Sequence, residues 1–321
     1  MGLILREQDM LGRMILKGLK KRPLLKSQIL SLLKKTYAAL SDYPVNPQPA
    51  GYVYPIFVDY PVNPQPRYGY GKPPHPQLYE IINGNRNVYK SFLESFLQYK
   101  DFFVQIAKRE TDPQSIKPAW INGWLPGLDS VAIYSFLCLN NPCRYFEIGS
   151  GNSTKFARQA IKDHNLRTKI TSFDPYPRAE IDAICDHTVR RPVEEVEPHV
   201  FEELEAGDLL FVDHSHRIFM NSDATVVFLD ILPRLKSGVF VEFHDIMLPF
   251  DYPVAWQEWY YSEQYLLAAY LLAEGNNFEI VLPNTFIGQD PELRGIMSPF
   301  WEDPRINGIE THGASFWIRM K

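Results

Sequence analysis

The stretch that most constrains this chain runs from Arg144 to Thr154, Arg-Tyr-Phe-Glu-Ile-Gly-Ser-Gly-Asn-Ser-Thr. Tyr145, Phe146 and Ile148 read as a short buried strand ending in an acid and a glycine-rich turn. A helical spacing of Phe156, Ala157, Ala160 and Ile161 follows at once. Glycine at a strand-to-helix turn lets a ligand approach the backbone with no Cβ in the way, and Asn152 or Ser153 suits the cap of the helix behind it. Such a turn predicts a nucleotide-type pocket. A dinucleotide fold requires a third glycine three residues after Gly151, where this chain has Thr154. The pattern is E-x-G-x-G instead, from Glu147 through Gly149 to Gly151.

Downstream the chain alternates as a doubly wound sheet requires. Ile170 to Asp174 reads as a second strand ending in an acid, one helix after the glycines. Thr188 and Val189 form a short third strand, Asp208 to Asp213 a fourth, Gly238 to Phe243 a fifth, and 278–282 and 315–319 the last two. Helices are expected at 177–185, 198–204, 223–235 and 256–272, and a further helix over 129–139 leads into the Glu147 strand.

These residues resemble the class I S-adenosylmethionine-dependent methyltransferases, over roughly residues 120–321. The resemblance implies an α/β, Rossmann-like fold with a seven-stranded, mostly parallel sheet. It also implies that Glu147, Gly149, Ser150, Gly151 and Ser153 hold the methionine part of S-adenosyl-L-methionine and Asp174 the ribose hydroxyls, with Asp213 and His214 completing the cofactor set. The implied reaction is methyl transfer to a hydroxyl of a small molecule, a sugar or a natural product. The rival is a cofactor-binding or assembly module that keeps the fold without catalysis.

Ligands of an open α/β sheet bind outside the carboxyl ends of the strands, so the residues ending the fourth and fifth strands, Asp213-His214-Ser215-His216 and His244-Asp245, should meet across the pocket. Two chemistries compete for them. Asp213, His216, His244 and Asp245 are a candidate metal set, similar to the catechol-type enzymes except that His244 replaces a carboxylate. Imidazole among the ligands favours manganese, iron or zinc over magnesium. Alternatively His244 or His216 is a general base, oriented by Asp245 or Asp213, with an ordinary imidazole pKa of about 6.5 suited to neutral pH. Trp120 and Trp124, in a turn-rich stretch before the first strand, are candidates for lining the acceptor pocket. The stretch between the last two strands, 283–314, is a candidate cap, because a plain hairpin needs only about 2–5 residues.

Residues 1–119 are expected to form an extension to a methyltransferase domain at 120–321. Net charge is −5, yet residues 1–40 hold nine Lys/Arg against Glu7 and Asp9. Two basic amphipathic helices result, suited to packing on their own domain or on a second subunit, or to peripheral contact with an anionic membrane or a partner. A homo-oligomer is the expectation. Asp42 to Pro49 is repeated identically at Asp59 to Pro66, and ten prolines between 44 and 76 predict an extended strap that its aromatics pin down. A packing helix follows from Arg86 to Ile106. The three cysteines, at 138, 143 and 185, show no metal-type spacing, and no apolar run approaches the roughly 20 residues that cross a bilayer; a cytoplasmic protein is expected. The acidic catalytic half argues against a nucleic-acid partner.

Overall fold

Strands buried on both faces need a covering layer on each side, and the central strands of this chain are of that kind. The computed structural model describes residues 62–112, 114–177, 181–275 and 277–321. The expected basic helices of 1–40 and the first copy of the proline repeat lie outside the described residues. The chain divides into two compact units, Met1–Asn63 and Pro64–Lys321, and the second holds the sheet.

That sheet has seven strands: β1 (Arg144–Ile148), β2 (Lys169–Phe173), β3 (His187–Val189), β4 (Leu209–Val212), β5 (Phe240–Phe243), β6 (Phe278–Pro283) and β7 (Phe316–Met320). Their order is β3-β2-β1-β4-β5-β7-β6, parallel except for β7, which runs antiparallel between β5 and β6. This is the doubly wound sheet that the alternation predicts, with the seven strands and mostly parallel order that the resemblance implies. Register matters most at one edge. Ile148 pairs with both Phe173 and Val212, and Val212 with Phe243, so four strands end level and the residues after them emerge side by side.

Helices α1 (Pro76–Asn83), α2 (Arg86–Phe96), α3 (Gly127–Asn140) and α4 (Asn152–His164) precede or follow the first strand. α3 is apolar nearly all round and buried from Gly127 to Leu137, as a helix sunk in the core must be. The sequence alone groups residues 64–119 with the extension. In the structure Leu78, Tyr89, Leu93, Phe96 and Phe103 from that stretch share one core with the sheet. The expected 86–106 helix is α2 followed by short turns at Leu97–Tyr99 and Lys100–Phe103.

Four other expected helices differ. Of the 177–185 helix, 178–180 lie outside the described residues and the described part holds a 3-10 turn at Asp182–Ile184, while the 198–204 helix is a 3-10 segment at Pro198–Glu203. Residues 223–235 are helical but irregular: α over Asp223–Val226, π over Val227–Ile231 and 3-10 over Leu232–Arg234. Pro233 has no N–H to donate and its ring crowds the preceding turn, which spoils the α register there. The long helix at 256–272 is two pieces, a 3-10 segment at Val254–Trp259 and α5 (Glu263–Leu272), separated by Tyr260 at φ 54°. The break seats the start of α5 on the end of β4, because Ser262 and Glu263 donate their N–H groups to the His216 carbonyl at 2.8 and 3.3 Å.

The described part of the strap, 64–75, runs as extended chain and turns; the aromatics between the two repeat copies, expected to pin it, lie outside the described residues. Asp251 is its anchor: Oδ2 accepts from the N–H groups of Arg67 (2.6 Å) and Tyr68 (3.0 Å), and its carbonyl accepts from the Tyr70 hydroxyl. Between β6 and β7 the chain forms short helices at Asn284–Gln289, Pro291–Ile296 and Ser298–Trp301. Buried Asp129 ties both ends of that insertion down, accepting from Asn284 Nδ2 (2.7 Å) and from the N–H groups of Ala314 (2.8 Å) and Ser315 (3.0 Å).

Candidate active site

The turn after β1 is shaped by its glycines. Gly149 has φ +77°, and a Cβ there would stand 1.8 Å from the Asp213 carbonyl oxygen, so this position brings the ends of β1 and β4 together. A Cβ at Gly151 would meet nothing within 4 Å. That open cradle is what a cofactor approaching the backbone requires. Ser150 N–H donates to Asp174 Oδ2 at 2.8 Å and Tyr176 N–H to Oδ1 at 2.7 Å, which orients the β2 acid while each oxygen keeps a lone pair for a hydroxyl donor. The donor set and the cradle fit S-adenosylmethionine.

Glu147 sits beneath the turn. It is fully buried, accepts from the Tyr145 hydroxyl at 3.0 Å and from Thr154 Oγ1, and that same Oγ1 accepts from the Gly151 N–H at 3.0 Å. The hydroxyl that ties α4 to the turn is therefore Thr154, in place of Asn152 or Ser153. Burial pushes the Glu147 carboxyl up to about 7, against the lowering pull of the surrounding hydroxyls.

The structure brings the β4 and β5 ends together. His216 Nε2 lies 3.1 Å from Asp213 Oδ1 and 3.7 Å from Asp245 Oδ2, and its Nδ1 contacts Glu263 Oε1. Burial lowers the His216 pKa, but the Glu263 and Asp213 carboxylates outweigh it and raise it to about 10. His244 is 2% exposed, with Nε2 3.7 Å from Asp245 Oδ1 and Nδ1 3.5 Å from Glu242 Oε1. Burial opposes its charge too, yet Asp245, Glu242 and Asp213 hold its pKa well above the ordinary range. Both imidazoles thus favour the cation, which corrects the expectation of an unshifted base. His216 and Asp245 both adopt left-handed backbone, φ 61° and 56°, a strain that non-glycine residues carry where the surroundings impose it.

Beside this cluster lies a cavity of about 740 Å³ walled by Tyr70 and Lys72 of the strap, Trp124, Trp256, His312 of the insertion, and Asp245. Asp245 alone of the proposed strand-end residues lines it. Burial raises the Asp245 carboxyl above its usual range, against the lowering effect of His244 and His216. The two tryptophans part company. Trp120 lies in a short strand, Ala119–Ile121, buried against Phe156 and Phe300, with its indole N–H donating to the Phe103 carbonyl at 3.1 Å. Trp124 is 64% exposed at the cavity wall.

Sequence reasoning does not find Glu263, Glu242 or Asp251. Glu242 carries a signal, an acid inside the apolar strand Phe-Val-Glu-Phe; Glu263 is hidden inside a helix expected to run unbroken from Trp256. Among the described residues, the His and acid side chains whose ligand atoms converge, within 4.8 Å of one another, are His214, His216 and Glu263. His244 and Asp245 are not in that group.

Residues 146–246 match the family model of a methyltransferase domain, a segment that holds the glycine turn, Asp174 and both strand-end clusters. The resemblance to class I S-adenosylmethionine-dependent methyltransferases therefore stands. No curated protein matches the chain. Solved structures similar to it include an S-adenosylhomocysteine-bound methyltransferase of Podospora anserina (14% identity, 71% of this chain and 88% of that one, TM-score 0.39). Others are an O-methyltransferase of Streptomyces achromogenes involved in tomaymycin synthesis, in complex with S-adenosylmethionine (13%, 70% and 95%, 0.37), and an O-methyltransferase of Bacillus cereus in complex with S-adenosylhomocysteine (12%, 76% and 99%, 0.31).

Proposed function

We propose that this chain transfers a methyl group from S-adenosylmethionine to a hydroxyl of a small molecule, a sugar or natural product held in the cavity beside Asp245. The observation that carries the reading is continuity. The glycine turn abuts Asp213, Asp213 meets His216, His216 meets Asp245, and Asp245 opens on the cavity. When bound, the cofactor supplies an electrophilic methyl group. Gly151 gives it room, Gly149 lets the β4 end come up beside the turn, and Asp174 accepts from its hydroxyls.

Asp245 takes the proton of the acceptor hydroxyl at Oδ1 or Oδ2, and burial, by raising its pKa, makes it a better acceptor than an exposed carboxylate. His244 and His216, each 3.7 Å from that carboxylate, hold it in place, and the His244 cation balances its charge. Trp124, Trp256 and the strap exclude water from the acceptor. The test is turnover of labelled S-adenosylmethionine with a panel of hydroxylated acceptors by wild type and Asp245→Asn. Asp245→Asn should lose at least about 100-fold in kcat, the usual worth of a positioned base, while binding S-adenosylhomocysteine as before. Undiminished turnover in Asp245→Asn refutes the assignment. Tight S-adenosylhomocysteine binding with no turnover on any acceptor favours the non-catalytic module.

A further inference from the structure

We propose that His214, His216 and Glu263 form a site for a divalent cation of the zinc class, which staples the end of β4 to the first turn of α5. All three side chains are buried and their ligand atoms lie within 4.8 Å of one another. Two of those atoms, His214 Nε2 and Glu263 Oε2, are buried without a hydrogen-bond partner although they stand 3.3 Å apart. At that distance the two form a long ion contact outside hydrogen-bond geometry, a weakly satisfied buried pair whose lone pairs a cation between them would take up. The spacing suits an ion: two ligands at about 2.0–2.1 Å from a tetrahedral zinc stand about 3.4 Å apart.

The third ligand carries the outer support that metal-bound histidines need. With Nδ1 turned to Glu263, His216 presents Nε2 to Asp213 Oδ1 at 3.1 Å, an acid placed to fix ring orientation and tautomer. His214 gives up one contact on binding. Its Nδ1 accepts the His216 backbone N–H at a long 3.3 Å, and a cation taking the Nε2 lone pair moves the ring proton to Nδ1 and breaks that bond. Two imidazoles and one carboxylate make a nitrogen-rich set that zinc accepts and that magnesium and calcium, which favour oxygen, do not. Glu263 lies beyond the 146–246 segment that matches the methyltransferase model, so this site is a property of the chain's own α5. It leaves Asp245 and the cavity to the acceptor and does not depend on the methyl-transfer reading.

The experiment is zinc content and zinc affinity of the full chain, with Glu263→Gln and Asp245→Asn as comparisons. Elemental analysis of wild type is expected to find about one zinc per chain. Chelation should lower the melting temperature, zinc chloride should restore it, and magnesium chloride should not. Glu263→Gln should bind zinc at least tenfold more weakly by calorimetry, and Asp245→Asn as tightly as wild type. Zinc lost in Asp245→Asn but kept in Glu263→Gln overturns this ligand set in favour of one built on the β5 end. Should Glu263→Gln fail to fold, the wild-type titration still decides: chelated wild type that takes up no zinc overturns the proposal.

Discussion

Replacing Gly149 by Ala tests the geometry of the turn most directly. The new Cβ would lie 1.8 Å from the Asp213 carbonyl oxygen, and since Cβ contacts below 3.0 Å essentially do not occur, the β1 and β4 ends must part by about 1.2 Å. Left-handed backbone costs a side chain about 1–2 kcal/mol, and forcing an extra carbon into a packed site costs about 1–3 kcal/mol. The sum, about 2–5 kcal/mol, corresponds to a fall of about 4–20 °C in melting temperature for a unit of this size. The displacement also strains the Asp213 N–H to Ile148 carbonyl bond, 2.8 Å in the native turn, and with it the path from the turn to the cavity. Gly151→Ala is the matched control. Its Cβ enters empty space at φ 171°, so the melting temperature should hold while affinity for S-adenosylhomocysteine drops at least tenfold. Scanning calorimetry and isothermal titration on both variants separate the effects. A Gly149→Ala protein melting within about 2 °C of wild type would refute the packing argument. Gly151→Ala binding the ligand normally would show that the cofactor does not approach there.

Two further predictions rest on burial and charge. Trp120→Ala should destabilise by about 3–5 kcal/mol in denaturant unfolding, as loss of a core aromatic does, whereas Trp124→Ala should leave stability within about 0.5 kcal/mol and raise the acceptor KM. Equal stability losses in the two would contradict the assignment of Trp120 to the core and Trp124 to the cavity. Burial pushes the Asp186 carboxyl up, but the Ile170 N–H, Arg158 and Lys169 outweigh this and hold it at about 2, below its ordinary 3.8. A lowered folded pKa contributes stability above the unfolded value and loses it as pH falls through the folded one. Asp186→Asn should therefore be less stable than wild type at pH 7 by about 1–2 kcal/mol after solvent screening, with the gap closing between about pH 4 and pH 2. A gap that stays constant from pH 7 to pH 2 would sink the ion-pair explanation.

The parts of this structure that are legible in the chain are those set by short-range chemistry. An apolar strand ending in Glu147 and two glycines can be read from eleven residues, and β4, β5 and β6 announce themselves as runs rich in Val, Ile, Leu and Phe. The helices are less readable, for two separate reasons. Pro233 alters the turn geometry without ending the helix. At Tyr260 the break follows from a tertiary contact, the His216 carbonyl accepting the first N–H groups of α5, which no local preference encodes. The site divides along the same line. Residues at strand ends can be found because topology puts them at one edge, whereas Glu263 escapes because the break that delivers it is invisible locally. The charge state of the histidines is equally hidden: an ordinary imidazole pKa holds in water, and four acids gathered around two buried rings change it.

None of the residues walling the cavity belongs to a strand. The wall is assembled from the strap at 69–72, the turn at 123–126, the stretch from Asp245 to Trp256, and the insertion at 285–289 and 310–314. On the proposed function, the scaffold that captures the cofactor and the surface that chooses the acceptor are thus encoded in different stretches of chain. Mutation can redraw the second while the first goes on folding as before. On that reading a change of substrate needs changes in loops alone, and a protein engineer can sample acceptors by randomising those four stretches around a fixed Asp245, leaving Gly149, Gly151 and Asp174 untouched.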